Sequence, residues 1–162
     1  MRPAAAKIER LCREGAIVFA IDPRGWRESA PPKAKSSSYT RSYQTAMRGI
    51  LVGKPLPGMQ TFDVLNAFSY LASRPDIDPQ RISIHTKGAA SAIGIYAAVL
   101  EPRIQSIISD QFPQSYLDLT RLKIHDDIAG LVVPGVLCDF DLPDLIGILG
   151  PRFRTLAANR NQ

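Results

Sequence analysis

The segment Arg81-Ile82-Ser83-Ile84-His85-Thr86-Lys87-Gly88-Ala89-Ala90 decides the fold, because a short alternating stretch runs directly into glycine and small residues. Ile82 and Ile84 share one face of the predicted strand. From Gly88 to Leu100 the chain is apolar nearly all round, which is typical of a helix buried against a sheet. The segment therefore predicts a strand, a sharp turn at Gly88 and a buried helix.

Predicted strands and helices alternate on both sides of this segment. Upstream, a helix over residues 4–13 precedes an apolar run over 16–21, which predicts a buried strand. Downstream, strands over 103–110 and 153–157 enclose a helix over 141–149, for which Asp141 is the expected N-cap. The alternation predicts one α/β domain over residues 1–162, with a mostly parallel sheet and helices on both faces.

The composition bears on which classes of partner and which cellular location we expect. The 45% hydrophobic content is ordinary for a globular protein, and the net charge of +5 is scattered without basic runs, so we expect no nucleic-acid partner. No apolar stretch is long enough for a membrane span, and residues 1–10 lack the apolar core of a signal peptide. We expect a cytoplasmic protein, or a secreted or periplasmic one if a longer precursor carries an export signal.

The two cysteines do not indicate a metal site. Cys12 and Cys138 lack the spacing of metal ligands, and we interpret them as reduced structural thiols. The sequence predicts no metal and no cofactor.

Three segments carry a family resemblance. The run Val18-Phe-Ala-Ile-Asp-Pro-Arg-Gly-Trp resembles the strand and following loop of α/β-hydrolases. Residues 64–84 resemble the helix, turn and strand that lead into the nucleophile elbow of the acetyl xylan esterase and dienelactone hydrolase branch, and residues 132–152 resemble a later helix of the same esterases. The resemblance implies a partial α/β-hydrolase fold, incomplete at both ends relative to the family.

The resemblance places the elbow at Thr86-Lys87-Gly88-Ala89-Ala90, where the family has Gly-x-Ser-x-Gly. Gly88 stands at the nucleophile position and offers no hydroxyl, so the resemblance implies a domain that has lost ester hydrolysis. Thr86 and Ser91 are the nearest hydroxyls, and we expect both to be structural. Asp110 and His125 are the remaining candidates for an acid and a base.

Two alternatives stay open at this stage. The chain can be an active carboxylic-ester hydrolase of the carbohydrate deacetylase type, completed by a longer parent chain or a partner subunit. It can also be a small doubly wound domain of the flavodoxin-like kind, although that does not account for the esterase-like segments.

A ligand site is expected at the carboxyl ends of the strands. The helix after Gly88 presents free N–H groups, with Lys87, Gly88 and Ala89 around them, and Asp22, Arg24 and Trp26 are expected to line the same cleft. A small anionic or carbohydrate ligand suits such a cleft. Any exposed sheet edge needs a cover, which a second copy of the chain or the rest of a parent protein can provide.

Overall fold

The structure, a computed structural model, describes residues 3–30, 41–121 and 128–156. Its sheet has three parallel strands, β1 (Ser83–Lys87), β2 (Ser106–Asp110) and β3 (Phe153–Thr155), in the order β1-β2-β3. The register pairs Lys87 with Asp110 and Ser109 with Thr155. Helices surround this sheet, which confirms the predicted α/β class.

Seven α-helices lie within the described ranges: α1 (Pro3–Arg13), α2 (Arg41–Leu51), α3 (Leu56–Ala72), α4 (Ala90–Leu100), α5 (Tyr116–Arg121), α6 (Val136–Asp139) and α7 (Leu142–Leu149). Four 3₁₀ turns join them, at Arg27–Ser29, Pro79–Arg81, Ile128–Leu131 and Gly150–Arg152. Most bounds agree with the sequence prediction within a few residues. α3 begins at Leu56, and Pro57 fits its first helical turn. None of these helices is both long enough and apolar enough to cross a membrane.

Helix α4 is the centre of the packing. It lies on the face of the sheet that carries Ile84, Thr86 and Ile107, and it also contacts α3 and α7. Gly94 permits the close approach, because a Cβ there would lie 2.7 Å from Thr86 Cγ2 and 2.9 Å from Ile107 Cδ1. The main core cluster is formed by Phe68, Ile82, Ile95, Ala97, Ala98, Ile104, Ile107, Leu145 and Leu149.

Helix α7 confirms the prediction for residues 141–149. Asp141 is its N-cap and accepts a hydrogen bond from the Leu142 N–H, and a proline stands in the first turn. Leu142, Leu145 and Leu149 are buried, and Ile146 packs against the core from a partly buried position. The regularly spaced apolar side chains of this helix therefore face the core, as predicted.

Arg152 ties the end of α4 to the sheet. Its guanidinium donates to the carbonyl oxygens of Ala98 at 2.8 Å and Ile104 at 2.7 Å. These carbonyls belong to the last turn of α4 and to the connection into β2, where helical geometry supplies no donor. The side chain thus satisfies backbone groups that would otherwise be unpaired.

The prediction of a strand over residues 16–21 is wrong. This stretch is irregular and pairs with none of the described strands, and Ile17 and Phe19 are 59% and 46% exposed. Its one described ring contact joins Phe19 to Tyr70 on α3, with centroids 5.6 Å apart. A strand is defined by ladder hydrogen bonds to a neighbour, so an apolar run without a paired neighbour does not form one.

Candidate functional site

The turn between β1 and α4 has the predicted elbow shape. β1 ends at Lys87, α4 begins at Ala90, and Gly88 between them has a φ of +61°. The Gly88 N–H donates to the Asp110 carbonyl at 2.9 Å, and the Gly88 carbonyl accepts from the Ser91 N–H at 3.0 Å. The prediction of a sharp strand-to-helix turn at Gly88 is confirmed.

Glycine suits the apex of this turn for a conformational reason. A φ of +61° lies in the left-handed region, which costs other residues free energy. Space is not the constraint, because a Cβ added at this position would have the Gln111 carbonyl oxygen as its nearest neighbour, 3.9 Å away. The backbone therefore holds an elbow that has room for a side chain but carries none.

The neighbouring hydroxyls do not replace the missing one. Thr86 Oγ1 lies 2.8 Å from Ser109 Oγ, and the two form a cross-strand hydrogen bond on the face that packs against α4. Ser91 is completely buried in the first turn of α4, and its Oγ has no hydrogen-bond partner among the described residues. Neither hydroxyl stands at the apex of the turn.

Lys87 and Asp110 meet beside the turn. The register places them opposite each other at the ends of β1 and β2, and Lys87 Nζ lies 3.3 Å from Asp110 Oδ2. The same aspartate residue also accepts the Gly88 N–H through its backbone carbonyl. Three of the predicted site residues are thus brought together, and the lysine charge is partly balanced by a carboxylate.

His85 lies on the opposite face of β1 from Thr86. Desolvation lowers the pKa of His85, and the positive charge of Lys7 on α1 lowers it further. The imidazole therefore does not share the face on which Thr86 and Ser109 meet. The second histidine, His125, lies outside the described residues.

The Asp22-to-Trp26 loop is held by α3. Arg24 binds Asp63 through its side chain and its backbone N–H, with Nε–Oδ2 and N–Oδ2 distances of 2.9 Å each. This contact lowers the pKa of Asp63 despite an opposing effect of burial, and it raises the pKa of Arg24. Asp22 pairs with Arg27 at 3.6 Å. The hydrogen bonds described for this loop thus run to α3 or remain within the loop, and none reaches the Gly88 turn.

A polar cluster near α5 is not evident from the sequence. Asp141 accepts hydrogen bonds from Ser115 Oγ and from the Tyr116 N–H in addition to capping α7. Burial raises the pKa of Asp141, but these hydrogen bonds outweigh it and the net shift is downward. The Tyr116 hydroxyl meets that of Tyr96 at 2.7 Å, and desolvation raises the pKa of both phenols. Only the capping role has a local sequence signal.

The cysteines and the other residues that can bind metals form no metal site within the described ranges. Cys12 and Cys138 are free and exposed, 126 positions apart in sequence. Within the described ranges, no three His, Cys, Asp or Glu side chains are grouped so that they could hold a metal ion.

Comparison with protein-family models, with curated proteins and with solved structures finds no match to this chain.

Proposed function

We propose that the chain is an α/β-hydrolase-like domain, similar to acetyl xylan esterases, that has lost ester hydrolysis and retains its elbow as a small-ligand site. The observation that carries the proposal is the geometry at Gly88. A strand, a residue at a φ of +61° and a buried helix follow one another as in a nucleophile elbow, yet the apex has no hydroxyl.

Loss of the nucleophile removes covalent catalysis, because an acyl-enzyme needs a side-chain oxygen or sulfur at the apex. Thr86 is hydrogen-bonded to Ser109, and Ser91 is buried, so neither has access to a bound ester. Among the described residues, His85 does not supply a base at the turn, since it lies on the other face of the strand.

The remaining elbow favours a small anion, such as the acetate that a deacetylase would release. The N–H groups of the N-cap Ala89 and of the first turn of α4 have no acceptor within the helix, and of these the Ser91 N–H donates to the Gly88 carbonyl. They lie at the positive end of the helix dipole. Lys87 adds a positive charge, for which Asp110 competes at 3.3 Å. A bound anion therefore has to share or displace this carboxylate.

Catalysis is tested by measuring p-nitrophenyl acetate turnover and fluorophosphonate labelling of the purified chain. We expect neither to exceed the background, and we expect Gly88→Ser to remain inactive because no histidine among the described residues lies beside the new hydroxyl. A serine Cβ has space at this position but adopts a strained φ of +61°, so circular dichroism checks that the variant folds. Ester turnover by the unmodified chain that survives repurification and the Ser91→Ala substitution would overturn the proposal.

Ligand binding is tested by titrating acetate and sulfate into the chain by NMR. Asp110→Asn should strengthen binding because it removes the competing carboxylate, whereas Lys87→Gln should weaken it. The matched control is Arg103→Gln, whose side chain pairs with Glu101 away from the turn. Equal affinity in all four proteins would show that the elbow is not the anion site.

The open edge of the sheet favours a second candidate, an esterase completed by another polypeptide. β1 is an outer strand of the described sheet, with an unpaired row of backbone groups that a further strand can bind. Under this alternative, the product of the full gene, or a complex with a partner subunit, deacetylates an acetylated carbohydrate. Turnover measured on that assembly, and its absence from the chain alone, would favour completion over loss of function.

A further inference from the structure

A cavity lies beside α5 and α6, and its described lining includes no residue of the Gly88 turn. It has a volume of about 440 Å³ and is formed by α5, the 3₁₀ turn Ile128–Leu131 and the segment leading through α6. Buried side chains of Tyr116, Leu131 and Val136 belong to the apolar cluster beneath it. Sites for small molecules span about 300–1,000 Å³, so the cavity has the size of such a site.

The two side-chain hydroxyls of the described lining are already hydrogen-bonded. The Tyr116 hydroxyl is hydrogen-bonded to Tyr96 at 2.7 Å, and Thr120 Oγ1 donates to the Leu117 carbonyl at 2.7 Å. Among the described lining residues there is no Asp, Glu, Lys, Arg or His. A charged ligand would therefore lose hydration without gaining an ionic partner there, which is costly.

The rim of the cavity is apolar and meets water. Val132 and Leu137 line it and are 36% and 43% exposed. Covering them with a molecule of matching size would remove apolar surface from water, which favours binding.

We propose that this cavity binds a small, uncharged, predominantly apolar molecule, of the size of an alkyl alcohol or a two-ring aromatic compound. The inference rests on the volume, the buried apolar floor and the absence of charged groups in the described lining. It does not depend on the function proposed for the elbow.

The first test is a fluorescence titration of the full chain with the neutral naphthalene dye prodan. The double variant Val132→Gln and Leu137→Gln changes only rim side chains and should fold normally, which circular dichroism verifies. Loss of two apolar contacts should weaken prodan binding by about tenfold or more. The matched control, Leu100→Gln with Ile148→Gln, alters two side chains that are 66% and 69% exposed outside the described lining and should leave binding unchanged.

The second test addresses the class of ligand and uses Cys138 as a reporter, because it is exposed at the cavity. In a Cys12→Ser background, octanol should displace prodan and slow the reaction of Cys138 with a thiol reagent. Octanoate and octylamine should require at least about tenfold higher concentrations, because their charge has no ionic partner in the described lining. Unchanged prodan affinity in the rim variant, or displacement by octanoate as effective as by octanol, would overturn the proposal.

Discussion

Two stretches for which the sequence predicts a strand, one continuously apolar and one alternating, differ in the structure. Residues 16–21 and residues 82–86 both precede a turn containing glycine, and the sequence predicts a strand for both. Only the second forms a ladder, with β2 on one side and α4 beneath it. The comparison shows that an apolar run supplies the tendency to extend, while a paired neighbour and a covering helix make it a buried strand.

The packed region, in which β1 and β2 lie against α4, should be more sensitive to added side-chain atoms than residues 16–21 are. Gly94 is its tightest point. Gly94→Val places side-chain atoms where Thr86 and Ile107 already lie, at 2.7 Å and 2.9 Å from the Cβ alone. We expect a loss of about 3 kcal/mol in the free energy of unfolding, measured by urea denaturation. The same change at Gly147 meets no atom within 4 Å and should alter stability by less than about 0.5 kcal/mol. Equal losses at both glycines would contradict the close packing of α4.

A second point of contrast is Asp141, which joins α5 to α7 within the packed region. Asp141→Asn weakens four hydrogen bonds to its carboxylate, and we expect a loss of about 2 kcal/mol at pH 7. The folded protein lowers the pKa of Asp141, so its contribution is present above the unfolded pKa of about 3.9 and is lost as pH falls through the folded pKa.

Urea denaturation across the acidic range measures this effect. The Asn variant should lose less stability on acidification than the parent protein does. Asp139→Asn removes a neighbouring exposed carboxylate and is the control. A pH profile that Asp141→Asn leaves unchanged would show that another group governs acid stability.

The sequence predicts the packed region well because its signals are local. Alternation at Ile82 and Ile84, the glycine at position 88 and the Asp141 cap each act over a few residues, and each corresponds to an observed feature. The contacts of Arg24 with Asp63, of Arg152 with Ala98 and of Asp141 with Ser115 join positions 39, 54 and 26 residues apart. No local pattern encodes such pairings, so the sequence does not predict them.

The ion pair between Arg24 and Asp63 tests how firmly the Asp22-to-Trp26 loop is attached to α3. Arg24 is about half exposed, so solvent screening limits the pair, and we expect Arg24→Gln to cost about 1 kcal/mol or less. Asp63→Asn should cost a similar amount, and the double variant little more, since both changes remove the same contact. Strictly additive losses would mean that the two side chains do not stabilise each other. Arg74→Gln, at an exposed pair within one turn, should not change stability.

The smallest expected effect lies in the unpaired apolar stretch itself, and a matched pair of isoleucines measures it. Ile17 is 59% exposed and pairs with no described strand, whereas Ile107 is fully buried in β2 between β1 and β3. Ile107→Ala should cost at least about 2 kcal/mol through lost burial and a residual cavity. Ile17→Ala should cost less than about 0.5 kcal/mol, because the side chain already meets water. If denaturation of the isolated chain instead gives comparable losses at both positions, residues 16–21 are buried in solution and form a paired strand. The edge of the sheet would then already have a neighbour, and the open side of β1 would no longer support completion by another polypeptide.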